Sequence, residues 1–268
     1  MKTRAITGFF FVIVLVLATV WNAYLFFGFF ALVGVLATRE FLTIVSDQQV
    51  RPLRVAGLSG AVMVFALGAM VLLLDFPQRT FLWIIPLVIF FFIASLYRKT
   101  ENPFHDIAYT LMAIVYGSLP FLFFIALGLG FAEEPFTGGI PMGFLLILWA
   151  NDTGAYLSGR AMGRHKLFER ISPNKTWEGF LGGLVLAVLI SLFFPLLFDE
   201  LVRWQWGVIA LIIAVFGSLG DLVESMLKRS LGIKDSGQML PGHGGILDRF
   251  DGLLMAAPLV YLFLTIFH

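Results

Sequence analysis

Between residues 221 and 251 the chain gathers acids, bases and glycines at spacings that could do chemistry. Asp221, Glu224, Ser225 and Lys228 are separated by three and four positions, so on a helix they share a stripe about 100° wide. Leu222, Val223, Met226 and Leu227 take the other side. Arg229, Lys234 and Asp235 follow, then Gly242, His243, Gly244 and Gly245, then Asp248, Arg249 and Asp251. Carboxylates beside lysine, arginine and glycine-rich backbone are what phosphoryl chemistry needs. Carboxylates and substrate phosphates hold Mg²⁺, cations stabilise charge on the transferring and leaving oxygens, and glycine lets backbone approach a ligand. Asp221 lies about 22 Å along a helix axis from Trp206, near the level where the next helix begins at Asp248. These two are therefore the expected principal Mg²⁺ ligands, with Asp251, Glu224 and Asp152 in the surrounding shell. Salt bridging to the local lysines and arginines is the competing explanation. His243 has no second histidine nearby and does not read as a zinc ligand.

The elements that position these residues follow from composition. Hydrophobic residues make up 59%, charged residues 13%, and mean hydropathy is +0.93. A soluble domain averages about 45–50% apolar and about 25% charged. Too few charges exist to cover a water-facing surface, which excludes a soluble globular protein. With 18 basic and 17 acidic residues, a nucleic-acid binder is excluded too. The chain has no cysteine, so disulfides and thiolate metal sites are ruled out. Continuous apolar runs cover 5–21, 23–45, 55–75, 80–97, 107–131, 141–159, 178–198, 205–224 and 249–267. A transmembrane helix needs about 20 such residues. The expectation is an all-α, polytopic integral membrane protein with about nine transmembrane helices.

Basic residues orient the spans. With the N-terminus cytoplasmic, all of the 18 lysines and arginines except Arg79 and Arg203 fall on the cytoplasmic side. Asp75, Glu133, Glu134, Asp199 and Glu200 fall opposite. This predicts N-in, C-out topology. Residues 1–100 hold four apolar spans, 101–140 a middle span, and 141–268 the spans with both polar connections, where chemistry is expected. In the sixth span Asp152 lies roughly 17 Å deep, costly unless paired, metal-bound or watered. Asp152, Tyr156 and Arg160 share one face. Ser172 before Pro173 signals a helix start, whose free N–H groups suit an anion, with Lys175 and Thr176 adding a charge and a hydroxyl. An ordinary capped helix with an interfacial lysine accounts for that segment equally well.

The segment SMLKRSLGIKDSGQMLPGHGGILDRFD, residues 225–251, resembles the signature of the phosphatidate cytidylyltransferases, the CDP-diacylglycerol synthases. The fixed positions are met by Ser225, Lys228, Arg229, Lys234, Asp235, Gly237, His243, Gly244, Gly245, Asp248, Arg249 and Asp251. NDTGAYLSGRAMGRHK and SPNKTWEGFLGG look like further family segments, with Asn174 where many relatives carry lysine. The resemblance implies a membrane nucleotidyltransferase of phospholipid biosynthesis that converts CTP and phosphatidate to CDP-diacylglycerol and pyrophosphate. It implies Mg²⁺, alone or with a second, monovalent cation, and a homodimer in the cell membrane with its site facing the cytoplasm. Catalysis is then expected at Asp221, Asp248, Lys228 and Arg249. Substrate binding is expected at Ser172, Lys175, Thr176, Ser225, Arg229, Lys234, His243, Gly244 and Gly245. The lipid phosphate already carries an anionic oxygen, so a strong general base is unnecessary. Two alternatives stand beside this reading: a CTP-dependent kinase of a polyprenol or other lipid alcohol, and an ion-coupled transporter using Asp152 and Asp221.

Overall fold

The structure is a computed structural model that describes residues 2–46, 50–131, 136–237 and 244–268. Glu133, Glu134 and His243 lie outside these residues. Each apolar run is helical. The helices are α1 (Lys2–Val20), α2 (Ala23–Ile44), α3 (Arg54–Leu72), α4 (Ile84–Leu96), α5 (Pro103–Gly117), α6 (Leu119–Leu129), α7 (Gly139–Met162), α8 (Trp177–Ser191), α9 (Arg203–Ser230) and α10 (Leu247–Phe267). Seven stretches are long and apolar enough to cross a membrane: Ala23–Ile44, Arg54–Leu72, Gln78–Leu96, Pro103–Leu129, Trp177–Leu196, Arg203–Ser230 and Leu247–Phe267. The chain is thus a helical, polytopic membrane protein. Helix α7 spans 24 residues but carries Asn151 and Asp152 in its second half, which dilutes its apolar character.

Local sequence explains the breaks. Asn22 separates α1 from α2, its side chain accepting a hydrogen bond from the Leu25 N–H at 2.8 Å. The 107–131 run contains two helices, not one. Pro120 lacks an N–H and its ring crowds the carbonyl four residues back, so the helix breaks at Ser118. The Ser118 hydroxyl lies 2.6 Å from the Thr38 hydroxyl of α2, which donates to the Ala113 and Gly34 carbonyls. At 28 residues α9 is about 42 Å long, against about 30 Å of hydrocarbon. Its last turns, with Asp221 to Lys228, therefore reach beyond the apolar layer.

The connection after α7 is where expectation and structure part. Ser172 does not cap a helix. Residues Lys166–Phe168 (β1) and Ser172–Thr176 (β2) form an antiparallel hairpin, pairing Lys166 with Thr176 and Phe168 with Ser172. The cap of α8 is Thr176, whose hydroxyl accepts from the Gly179 N–H at 3.2 Å. Strand pairing commits the Ser172–Pro173 backbone to extended form, so the helix starts four residues later than the Ser-Pro signal suggests. Glu178 ties the hairpin down, accepting from the Arg164 and His165 N–H groups and meeting His165 Nδ1 at 2.6 Å.

Glycine faces bring the C-terminal helices close. A methyl at Gly154 of α7 would sit 2.8 Å from the Gly182 carbonyl of α8, and one at Gly183 would sit 2.7 Å from the Asn151 carbonyl. A methyl at Gly220 of α9 would overlap the Asp251 carbonyl of α10. Such small-residue contacts are how helices approach in lipid, where no hydrophobic force separates helix from tail. Elsewhere aromatic side chains fill the interior. Phe26, Phe30, Phe124 and Phe144 form a chain of tilted and edge-on pairs, and Phe121 meets Phe250 at 5.2 Å. Exposed Ile89, Phe90, Phe92 and Ile93 give α4 a lipid-facing surface.

Candidate active site

Two lysine–carboxylate groups form where the ends of α7 to α10 meet. In the first, Lys175 reaches out of β2, and its Nζ lies 2.6 Å from Asp221 Oδ2 on α9 and 3.3 Å from the Ser218 carbonyl. Ser225, one turn on, donates to Asp221 Oδ1 at 3.3 Å. Asp152 of α7 and Asp251 of α10 feel the charges of both Asp221 and Lys175, so three acids share this corner with one lysine. The glycine contacts above are what bring it about: Gly220 and Gly252 seat α9 against α10, and Gly154 with Gly183 seat α7 against α8. Tyr156 and Arg160, on the same face of α7 as Asp152, bond to each other at 3.2 Å.

In the second group Lys228 Nζ is held between Glu224 Oε2 at 2.5 Å and Asp248 Oδ1 at 2.6 Å. Asp248 Oδ2 accepts from the Ser236 N–H, the Ser236 hydroxyl and the Gly245 N–H at 3.0–3.1 Å. Asp221 and Asp248, expected as partners, are thus each paired with a different lysine. Asp248 and Asp251 face different groups as well. The helical stripe on α9 divides the same way, Asp221 with Ser225 and Glu224 with Lys228.

A third acid enters from the N-terminal half. Glu40 of α2 is buried, 4% exposed, and touches the motif roughly 200 residues away. Its Oε1 accepts from the Ser236 hydroxyl at 2.5 Å and the Leu247 N–H at 3.1 Å, and its Oε2 from the Ile246 N–H at 2.8 Å. Ile246 is the N-cap of α10 and has no side chain to satisfy those donors, so Glu40 caps the helix that carries Asp248. The single hydroxyl proton of Ser236 lies between Glu40 and Asp248. Gly237 and Gly245 leave space for the Glu40 carboxylate, and Gly244, at φ 84°, leaves space for that of Asp248. The expected role of Gly244 and Gly245 in ligand approach is therefore shared with internal packing. Glu40 carried a signal of its own, an ionisable residue inside an apolar run, the criterion that marked Asp152.

Other expected residues sit at the edge. Arg249 is exposed on the first turn of α10, Lys234 is exposed in the α9–α10 connection, and exposed Arg229 donates to the Ile233 carbonyl at 3.5 Å. Ser172 lies at the turn end of the hairpin, and Thr176 spends its hydroxyl on the α8 cap. Among the described residues, no three acids or histidines close around one point as a metal cage. Mg²⁺ rarely has such a cage, taking one or two carboxylates plus waters and phosphates. Asp221, Asp251 and Asp152 supply hard oxygens of the right kind, and Asn151 Oδ1 beside them and Glu224 Oε1 are buried without a hydrogen-bond partner. The donor set fits a hard divalent cation.

Comparison with known proteins covers nearly the whole chain. The family model described as "Cytidylyltransferase family" matches residues 2–267. The protein named phosphatidate cytidylyltransferase in Staphylococcus saprophyticus is 35% identical over 275 residues, covering 98% of this chain and 99% of its own. One of the same name in Staphylococcus aureus is 36% identical over 276 residues, with 98% and 99% coverage. A third, from Staphylococcus haemolyticus, is 44% identical over 170 residues, 62% of each chain. Matched from end to end, and folded so that its polar groups meet at the helix ends, this chain belongs to the cytidylyltransferase family.

Proposed function

We propose that the protein transfers the cytidylyl group of CTP to phosphatidate, giving CDP-diacylglycerol and pyrophosphate. A phosphatidate oxygen bonds to the α-phosphorus of CTP, and the bond from that phosphorus to the bridging oxygen of pyrophosphate breaks. The obstacle is anion meeting anion, and the observation that carries the reading is the pair of lysine–carboxylate groups at adjoining helix ends. Lys175 and Lys228 offer cations to phosphate, in competition with Asp221 for the first and with Glu224 and Asp248 for the second. Ser225 orients Asp221, while Ser236 and Glu40 hold Asp248. Mg²⁺, when bound, neutralises phosphate charge and stabilises the leaving pyrophosphate. Asp221, with Asp251 and Asp152, is proposed to hold it, and Asp248 joins to the extent that phosphate draws Lys228 away.

The same reading places nine crossings in the cell membrane, N-in and C-out, with both groups facing the cytoplasm and two copies in a homodimer. Two contacts support the sidedness. Glu40 near the end of α2 meets the start of α10, and Lys175 just before α8 meets the end of α9. Alternating crossings put these four ends on one side. Because the chain has no cysteine, Lys234→Cys and Arg203→Cys report sidedness directly, and labelling from the same face would contradict the topology.

Purified protein given phosphatidate and CTP labelled at either the α- or the γ-phosphate tests the reaction. The proposal predicts α label in lipid and γ label in pyrophosphate, both dependent on Mg²⁺. Label from the γ position in lipid, with CDP released, would make the protein a lipid kinase instead.

A further inference from the structure

A cavity of about 930 Å³ opens between the start of α3, the chain leading into it and the end of α4. None of the residues in the two lysine–carboxylate groups lines it. Its lining is graded. Arg51, Arg54 and Arg98 stand near the helix ends, Val55 and Ala56 follow in the first turn of α3, and Phe90 and Ala94 line the cavity further along α4. Phe90 is two turns before Arg98, about 12 Å along the axis of α4, and belongs to the lipid-facing surface of that helix.

Charge in the cavity is unbalanced. Among the described residues, the carboxylate that meets these arginines is Asp106 of α5, whose Oδ2 lies 3.9 Å from Arg98 Nη1 and whose Oδ1 accepts from the Arg51 backbone N–H at 2.6 Å. That Arg98 nitrogen is closed to solvent and has no hydrogen-bond partner. Arg54 Nε donates to the Ser46 hydroxyl, a neutral acceptor, at 3.3 Å. Among the described residues, three guanidinium groups stand against one carboxylate, which leaves positive charge at the mouth over an apolar wall open to lipid. Guanidinium forks match phosphate, and a cavity of this size accommodates a headgroup with the upper part of its chains.

We propose that this cavity binds one anionic phospholipid of the surrounding leaflet, separate from the phosphatidate that reacts. Arg51, Arg54 and Arg98 hold its phosphate, and its acyl chains run along Val55, Phe90 and Ala94. The occupant bridges the α2–α3 connection, which begins just past Glu40, to α4. It therefore steadies the end of the helix that caps α10.

Native mass spectrometry of the delipidated protein, titrated with phosphatidylglycerol or phosphatidylcholine, tests this. The wild type should take one phosphatidylglycerol per chain with a preference of at least about tenfold over phosphatidylcholine. The triple variant Arg51→Gln, Arg54→Gln, Arg98→Gln should bind the two lipids alike. The double variant Arg51→Gln, Arg54→Gln leaves the Arg98–Asp106 pair in place and should lose most of the preference even if the triple variant unfolds. Lys175→Ala should keep the site, as should Arg79→Gln, Arg203→Gln, which removes charge from other helix ends. An unchanged preference in the double variant overturns the proposal. Loss of the preference in Lys175→Ala would assign the lipid to the reacting site and overturn it as well. Displacement of phosphatidylglycerol by inorganic phosphate would mark a free-anion site. A changed number of chains per particle in the double variant would mark an interface between copies.

Discussion

The two lysine–carboxylate groups are built from the same residue types and held in opposite ways. Lys228, Glu224 and Asp248 have side chains only 13%, 1% and 10% exposed, and each oxygen of Asp248 already has a partner. Lys175 and Asp221 are 25% and 41% exposed, joined by one ion pair and steadied by Ser225. A buried charge that loses its partner is costly, whereas an open pair exchanges partners cheaply. The closed group therefore braces α9 against α10, and the open group is where incoming phosphate or metal displaces an internal partner with least loss.

Breaking the closed group should have the largest effect. Lys228→Ala strands two buried carboxylates and should cost about 3–5 kcal/mol, read as a large drop in the thermal unfolding temperature in detergent. Lys175→Ala should cost less than about 1 kcal/mol. Equal stability losses in the two variants would erase the distinction. Asp221→Asn should act the other way, lowering turnover at least about 100-fold while the protein unfolds at nearly the wild-type temperature. Near-normal turnover with lowered stability would return Asp221 to a structural salt bridge.

Glu40 sharpens the comparison because it belongs to neither group and steadies only one. Glu40→Gln keeps the size but loses one acceptor oxygen for the α10 N-terminus. Turnover should fall about 10–100-fold, as when a residue that orients a ligating side chain is changed. Glu40→Ala should in addition cost about 1–3 kcal/mol for the stranded N–H groups. If Glu40→Gln turns over like wild type, Asp248 does not depend on its cap. The smallest effect is expected at the hairpin. Thr176→Ala should cost about 1 kcal/mol for the lost α8 cap, and Ser172→Ala should change stability by only a few tenths of a kcal/mol. The reverse order in a thermal unfolding series would restore Ser172 as the cap.

What could be read from residues alone was what repeats locally. Continuous apolar runs locate the helices because a span has one environment throughout. Spacing by four foretells Asp221 with Ser225 and Glu224 with Lys228, since those pairs are neighbours on any helix. The choice of lysine for each aspartate was not legible, because Lys175 and Asp221 meet only after glycine faces seat α7, α8 and α9 together. Nor was the β1–β2 hairpin, where pairing with Phe168 overrides a helix-start signal at Ser172. Pro120 was visible, yet the apolar run around it concealed the break at Ser118. Glu40 was visible as an acid in an apolar helix, but its partners lie beyond any local pattern.

The most direct measurement is a phosphorus NMR time course on purified protein, wild type and Lys175→Ala, with CTP, phosphatidate and Mg²⁺. The account predicts that the wild type converts the phosphatidate signal into the two coupled signals of a diphosphate-linked lipid, with pyrophosphate in equal amount. It predicts that folded Lys175→Ala does so at least about 100-fold more slowly. Conversion by Lys175→Ala at the wild-type rate, or wild-type release of CDP in place of pyrophosphate, would contradict it.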